Sequence, residues 1–336
     1  MNTEILPSDS PELFELAVHR AVELLRAGQV VALPTETVYG LCANALDPLA
    51  VSNIFKIKGR PANNPIIAHV ATLEMAKRCV SDWPTLADAA ARAFWPGPLT
   101  LVLPRSEAIP DVLTAGGSTV GIRWPSHPLM QAVIQRCGFP LAAPSANLSN
   151  QLSPTNATHV AKQLGGKIPL IVDGGQAQVG IESTVLDLSV CPSRVLRPGV
   201  IHNGALAAVL GELASSPEAG EAVLKSPGML EKHYAPRARV AIVSWQSEHE
   251  LNVQTKRLGT PPGKIHIIAH TRVPSGQDYG SVNVIPHDAE AFARAIYAQL
   301  HQCDDAGAEW IIIESVPDAQ EWSAISDRLH RAAHSV

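Results

Sequence analysis

The sequence predicts an α/β protein in two parts, on three observations. Short β-branched apolar runs alternate with amphipathic stretches of helical spacing, the pattern of strands joined by covering helices. At 336 residues the chain exceeds the roughly 100–200 residues usual for one domain. The alternation also breaks once, in "ELASSPEAGEAVLKSPGMLEKHYAP", where strand pattern gives way to Ser, Pro, Gly and charge. These place a first α/β domain at residues 1–211, a linker at 212–237 and a smaller open α/β domain at 238–336.

A helix is expected over residues 10–28, because Leu13, Leu16, Ala17, Ala21, Leu24 and Leu25 recur at helical spacing behind a Ser-Pro start. "QVVALPTETVYGL" reads as a buried strand broken at Pro34, and Asp47 before Pro48 caps a helix reaching about Ile57. Strands follow at "NPIIAHV", "LTLVLPR", "STVGIRWP", "PLAAPSAN", "IPLIVDGG" and "STVLDLS", with helices at "HPLMQAVIQRCG" and "SPTNATHVAKQLGG". Beyond the linker, "RVAIVSW", "KIHIIAH", "SVNVIPH" and "WIIIESV" are strands. "DAEAFARAIYAQLHQC", with Phe292, Ile296 and Leu300 on one face, and "EWSAISDRLHRAAH" are helices. This second part has a Rossmann-like alternation but no phosphate motif, so no chemistry is expected of it.

Hydrophobic residues make up 46% and aromatics 4%, which calls for an aliphatic core. A net charge of −5 argues against a broad basic face for nucleic acid, though not against a local basic pocket. Five scattered cysteines without a CxxC read as reduced core thiols of a cytoplasmic protein. The N-terminus has no cationic signal-peptide region, and no uncharged apolar run approaches the ~18 residues of a membrane span.

"KIKGRPANNP" sets Lys56, Lys58 and Arg60 at every second position before Pro61. In an extended segment all three point one way, and proline disfavours the α region for Arg60. Three converging cations call for an anion; the competing reading is a solvated helix end whose cations complement the C-terminal dipole. "PTETVYGL" puts the hydroxyls of Thr35 and Thr37 at a strand end, as site or as ordinary cap. "STVGIRWP" aligns Thr119, Gly121 and Arg123 on one strand face, with Arg123 able to fork a carboxylate. "PLAAPSANLSNQLSPTNA" offers Ser145, Asn147, Ser149 and Ser153, the last as a helix cap, a phosphate-binding hydroxyl, or both. Ser183 and Thr184 open a strand, Arg197 precedes Pro198, and His69 shares the face of Ile67, where a satisfied core histidine is the commoner outcome. Walker A, GxSxG and HExxH motifs are missing.

Together, "PTETVYGL", "IFKIKGRPANNP", "FWPGPLTLVL", "VGIRWP", "APSANLS", "GIESTVLDL", "VLRPG" and "SPGMLEKHYAP" resemble, in order, the YrdC-domain family of L-threonylcarbamoyladenylate synthases in its longer two-domain form. The resemblance implies a twisted mixed sheet around a concave cleft. It implies a nucleotidyltransfer in which L-threonine, bicarbonate and ATP, with Mg²⁺ held chiefly by phosphates, give threonylcarbamoyl-AMP and pyrophosphate. The product would pass to a separate tRNA threonylcarbamoyltransferase complex, and a weak tRNA contact is compatible with this. By resemblance, Lys56, Lys58 and Arg60 would serve catalysis. Lys58, Arg60, Thr119, Ser145, Asn147, Ser153, Arg197 and Tyr234 would hold ATP, and Thr35, His69, Arg123, Ala143 and Ser183 would hold threonine. The linker, through Tyr234, would close over the nucleotide; Leu230 and Glu231 depart from the more polar residues expected there. Two rival readings are an RNA-binding module using the cleft, disfavoured by the acidic balance, and a carbamoyladenylate-forming maturation protein, disfavoured by the missing CxxC.

Overall fold

The computed structural model describes residues 2–214, 235–275 and 278–333. Contacts divide the chain into a unit of Met1–Ser149 with Ser153–Leu230 and a unit of Asn150–Leu152 with Glu231–Val336.

In the first unit the strands are β1 (Glu4–Pro7), β2 (Val31–Leu33), β3 (Gly40–Asn44), β4 (Ala68–His69), β5 (Leu99–Pro104), β6 (Thr119–Arg123), β7 (Leu141–Ala142), β8 (Leu170–Asp173), β9 (Thr184–Asp187) and β10 (Arg194–Arg197). Among the described residues they form one mixed sheet in the order β1-β8-β2-β3-β7-β4-β6-β5-β9-β10. The pairs that matter for the site are β4 parallel to β6, β6 antiparallel to β5, and β5 parallel to β9. β4 and β7 are two residues long, and prolines stand close to both: Pro65 before β4, Pro140 and Pro144 either side of β7.

Helix Pro11–Arg26 begins where Ser10 Oγ accepts the Leu13 N–H at 3.2 Å. It buries Ala17, Val18, Ala21, Val22 and Leu25, whereas Leu16, expected on that face, is 51% exposed. Helix Pro48–Lys58 starts with Asp47 Oδ1 accepting the N–H groups of Leu49 and Ala50 at 2.9 and 3.3 Å. It ends at Gly59, whose φ of 61° is the left-handed cap that residues with a Cβ disfavour. These helices and Pro128–Cys137 pack on the sheet over an aliphatic core in which Leu33, Leu41, Ile54, Leu99 and Ile122 are fully buried. A small separate cluster of Val102, Val185 and Leu196 lies away from that core.

The second unit is a parallel sheet of β11 (Arg239–Val243), β12 (Ile265–Ala269), β13 (Ser281–Val284) and β14 (Trp310–Glu314), in the order β11-β14-β12-β13. Every residue of β12 and β14 is buried, as central parallel strands require. Helix Ala289–Asp305 buries Phe292, Ile296 and Leu300, and Glu248–Lys256 and Ser323–Ala332 complete the helices. Glu314, closing β14, accepts the N–H groups of His270 and Thr271 at 2.7 and 2.8 Å. Burial would raise its pKa, but hydrogen bonds from Thr271 and neighbouring backbone outweigh that and hold the carboxyl below its ordinary value.

Four cysteines are buried, but Cys191, expected in a core, is exposed. No helix of the described residues is long and apolar enough to cross a membrane.

Candidate active site

The cations of "KIKGRPANNP" do not lie on an extended segment. The helix continues through Lys58, so Lys56 and Lys58 stand roughly 200° apart around its axis. Lys56 faces solvent, while Lys58 and Arg60 are buried. Proline-driven extension reaches only as far back as Arg60, and the Gly59 cap lets the helix persist to its last lysine. The expectation of three converging cations is therefore corrected to two, with Lys56 at the solvated helix end.

Lys58 Nζ donates to the carbonyl oxygens of Ser145 and Asn147, each at 2.5 Å, and to Asn147 Oδ1 at 3.3 Å. Burial, and then the nearby Arg60 charge, push its pKa well below the ordinary lysine value. Arg60 donates through Nε to the Asn64 carbonyl at 3.0 Å and through Nη2 to Asn64 Oδ1 and the Pro65 carbonyl at 2.6 and 2.7 Å. Asn64 thus aims Arg60, a role unassigned from sequence.

The loop carrying Ala143, Ser145 and Asn147 is pinned by backbone on two sides. Leu41 N–H donates to the Pro144 carbonyl at 2.7 Å, Ala146 N–H to Tyr39 at 2.8 Å and Ala143 N–H to Ile67 at 3.2 Å. Ser153 does not cap the following helix: Asn156 does, its Oδ1 accepting the His159 N–H at 2.9 Å, and the helix runs Ala157–Leu164. Ser153 is buried and donates to Glu182 Oε1 at 2.6 Å. That carboxylate drew no notice in "GIESTVLDL" because only its hydroxyl neighbours were weighed.

A second group lies along β4, β6, β5 and β9. Thr119 opens β6 and Arg123 closes it, four residues on, roughly 13 Å at ~3.3 Å per residue. Between them, a Cβ on Gly121 would meet Ile67 Cγ1 and Thr100 Cγ2 at 3.3 Å, so the glycine lets both side chains close in. Arg123 is in register with His69 of β4 on one side and Thr100 of β5 on the other. Thr100 Oγ1 lies 2.8 Å from Ser183 Oγ, and Arg197 donates to the hydroxyl and the carbonyl of Ser183, both at 3.1 Å. His69, Arg123, Thr100, Ser183 and Arg197 therefore form a continuous polar row. Burial and then the Arg123 charge lower the His69 pKa to about 3, so its ring is neutral.

Thr35 folds on itself, donating to the Val38 carbonyl at 2.6 Å and accepting the N–H groups of Thr37 and Val38 at 3.2 and 3.3 Å. The turn presents Glu36, whose Oε1 lies 2.7 Å from Arg123 Nη2, with both side chains buried. The contact is an ion pair by distance without the alignment of a hydrogen bond. Neither Glu36 oxygen, nor Arg123 Nη2, has a hydrogen-bond partner. The signal available in "PTETVYGL" was a carboxylate at the end of an apolar strand. Tyr234 and residues 215–233 of the expected linker lie outside the described residues.

Residues 23–199 match the Sua5, YciO and YrdC family model described as "Telomere recombination", and residues 201–334 match "Threonylcarbamoyl-AMP synthase, C-terminal domain". The threonylcarbamoyl-AMP synthase of Pyrococcus abyssi is 40% identical over 328 residues, 95% of this chain and 94% of that protein. That of Bacillus subtilis is 40% identical over 336 residues, 98% of this chain and 95% of its own length. The crystal structure of Pyrococcus abyssi Sua5 complexed with L-threonine superposes with a TM-score of 0.89 at 37% identity, covering 99% of this chain and 98% of that one. Escherichia coli YciO matches 60% of this chain and 97% of its own at 25% identity, with a TM-score of 0.53. With family models along almost its whole length and full-length relatives at this identity, the chain belongs to the threonylcarbamoyl-AMP synthase family, in its two-domain form.

Proposed function

We propose that this chain converts L-threonine, bicarbonate and ATP into threonylcarbamoyl-AMP and pyrophosphate, and that the product goes on to a tRNA threonylcarbamoyltransferase complex. The observation that carries the reading is the layout of β4 and β6. Lys58 and Arg60 are held by the segments that flank β7 and β4, at Ser145–Asn147 and Asn64–Pro65, while His69 and Arg123 lie at the ends of β4 and β6, an arrangement suited to a triphosphate tail beside an amino acid. The named relatives and the threonine-bound Pyrococcus abyssi structure support it.

Lys58, Arg60, Thr119, Ser145, Asn147, Ser153 and Arg197 would surround ATP; Thr35, His69, Arg123, Ser183 and the backbone at Ala143 would surround threonine. When a carbamate oxygen of N-carboxythreonine attacks the α-phosphorus, charge grows on the phosphoryl oxygens and on departing pyrophosphate. Lys58 and Arg60, held by Asn147 and Asn64, would set positive charge beside those oxygens. Neutral His69 and the hydroxyl of Ser183 suit a polar side chain. No covalent enzyme intermediate is required, since holding the carbamate in line with the phosphorus does most of the work.

Mg²⁺ would arrive with ATP and neutralise part of the triphosphate charge. Phosphate oxygens and water would supply most of its ligands.

The test follows pyrophosphate while ATP, L-threonine and bicarbonate are omitted in turn. Release should need all three, and release without threonine or bicarbonate would overturn the reading. Lys58→Ala or Arg60→Ala should slow it by roughly 10²–10³-fold, the effect of removing one oxyanion-stabilising donor.

A further inference from the structure

Burying an ion pair is expensive unless each charge finds further donors or acceptors. The Glu36–Arg123 pair is short of them: Arg123 Nε donates to the Gly97 carbonyl at 3.4 Å, but both carboxylate oxygens and Arg123 Nη2 are enclosed without a hydrogen-bond partner. Such unmet capacity is rare in a folded protein and calls for an explanation. Elsewhere in this unit, the buried Lys58, Arg60 and Arg197 side chains each donate two or more bonds to oxygen acceptors. The two unsatisfied charges sit in the row assigned to the amino acid, with His69 in register with Arg123 and Thr35 beside Glu36.

An α-amino acid at neutral pH is a zwitterion, with an anion and a cation on one carbon. We propose that Glu36 is the ammonium-binding residue of the amino-acid site, and that the substrate inserts between Glu36 and Arg123. Glu36 lies on Arg123 where a substrate carboxylate would lie. On binding, the substrate carboxylate takes the guanidinium and its ammonium takes Glu36. The exchange leaves net buried charge unchanged and replaces one poorly aligned pair with two charge-assisted contacts. It also gives selectivity: a ligand without the ammonium separates the pair but leaves Glu36 buried and unpaired. This inference rests on the amino-acid substrate of the proposed function and adds the residue that reads its amine.

The test compares L-threonine with (2S,3R)-2,3-dihydroxybutanoate, in which a hydroxyl replaces the ammonium, by calorimetric titration of the full chain. The unaltered protein is first titrated with L-threonine and the other neutral α-amino acids. Preference for another amino acid would overturn the function reading alone, and the tightest binder then serves as the probe; binding of none would overturn both. In Glu36→Gln, amino-acid affinity should fall about 10–100-fold while the hydroxy acid binds as well as before or better, with ATP affinity unchanged as the check on folding. Glu36→Asp keeps the charge in a shorter side chain and should retain part of the discrimination, which keeps the test open if the glutamine variant fails to fold. Equal loss for both ligands, or undiminished preference for the ammonium in Glu36→Gln, would overturn the assignment.

Discussion

Burial changes what Lys58 can do before any ligand arrives. Its pKa is depressed by desolvation and by Arg60, and triphosphate beside it would push that pKa back up. ATP binding should therefore take up protons, with affinity falling as pH rises through the window between the free and bound pKa values. Calorimetry in buffers of different ionisation enthalpy should show that uptake, and Lys58→Met should abolish it. The His69 pKa is likewise depressed by burial, and that shift is linked to folding. With a folded pKa of about 3 and an unfolded value near 6.5, the unfolded chain binds the extra proton between them, so stability is retained above that window and lost as pH falls through it. His69→Asn should flatten that part of a melting-temperature profile measured from pH 7 downward. Arg123→Lys keeps the charge but loses the fork; the loss of one charged hydrogen bond, about 1.5–3 kcal/mol, should raise the KM for threonine roughly 10–150-fold with little change in the KM for ATP. Arg123→Ala is the poorer probe, because stranding buried Glu36 would cost about 3–5 kcal/mol of stability.

Among the elements, the helix Pro48–Lys58 and strand β6 set the site by their ends. Gly59 turns the chain so that Lys58 and Arg60, two residues apart, are both buried although one is helical and the other lies beyond the helix. Gly59→Ala should destabilise by about 1–2 kcal/mol in urea denaturation, the cost of a left-handed residue with a Cβ. It should also slow pyrophosphate release, by re-aiming Arg60. Gly121→Val would thrust a branched side chain against Ile67 and Thr100, whose atoms stand 3.3 Å from even a single added Cβ. A loss of about 1–3 kcal/mol is expected from that overpacking. The end of this helix was half legible: Asp47 and Pro48 announce its start, and the expected stop near Ile57 is one residue short of the observed one. The alternating cations suggested a strand because the spacing of two suits β structure, but the helix hydrogen bonds and a cap at Gly59 outweighed it.

At the scale of the molecule, the main core of the first unit draws its buried residues, among those described, from Ala17 to Leu206 and none from beyond the expected linker. Residues 1–214 should therefore fold alone, with a cooperative melt by circular dichroism; a chain that stays unfolded would show that the core depends on the rest. The elements, their order and the division into two α/β parts were determined by the sequence, since hydrophobic period, caps and prolines act over a few residues and are written next to one another. The polar motifs were also recognisable as a set. Which of them meet was decided by tertiary structure alone: Glu36 with Arg123, Ser153 with Glu182, and Thr100 with Ser183 come from segments distant in sequence. Local spacing also misplaced Lys56, because a side chain's direction depends on which backbone hydrogen bonds win, and that is settled only when the helix packs against the sheet.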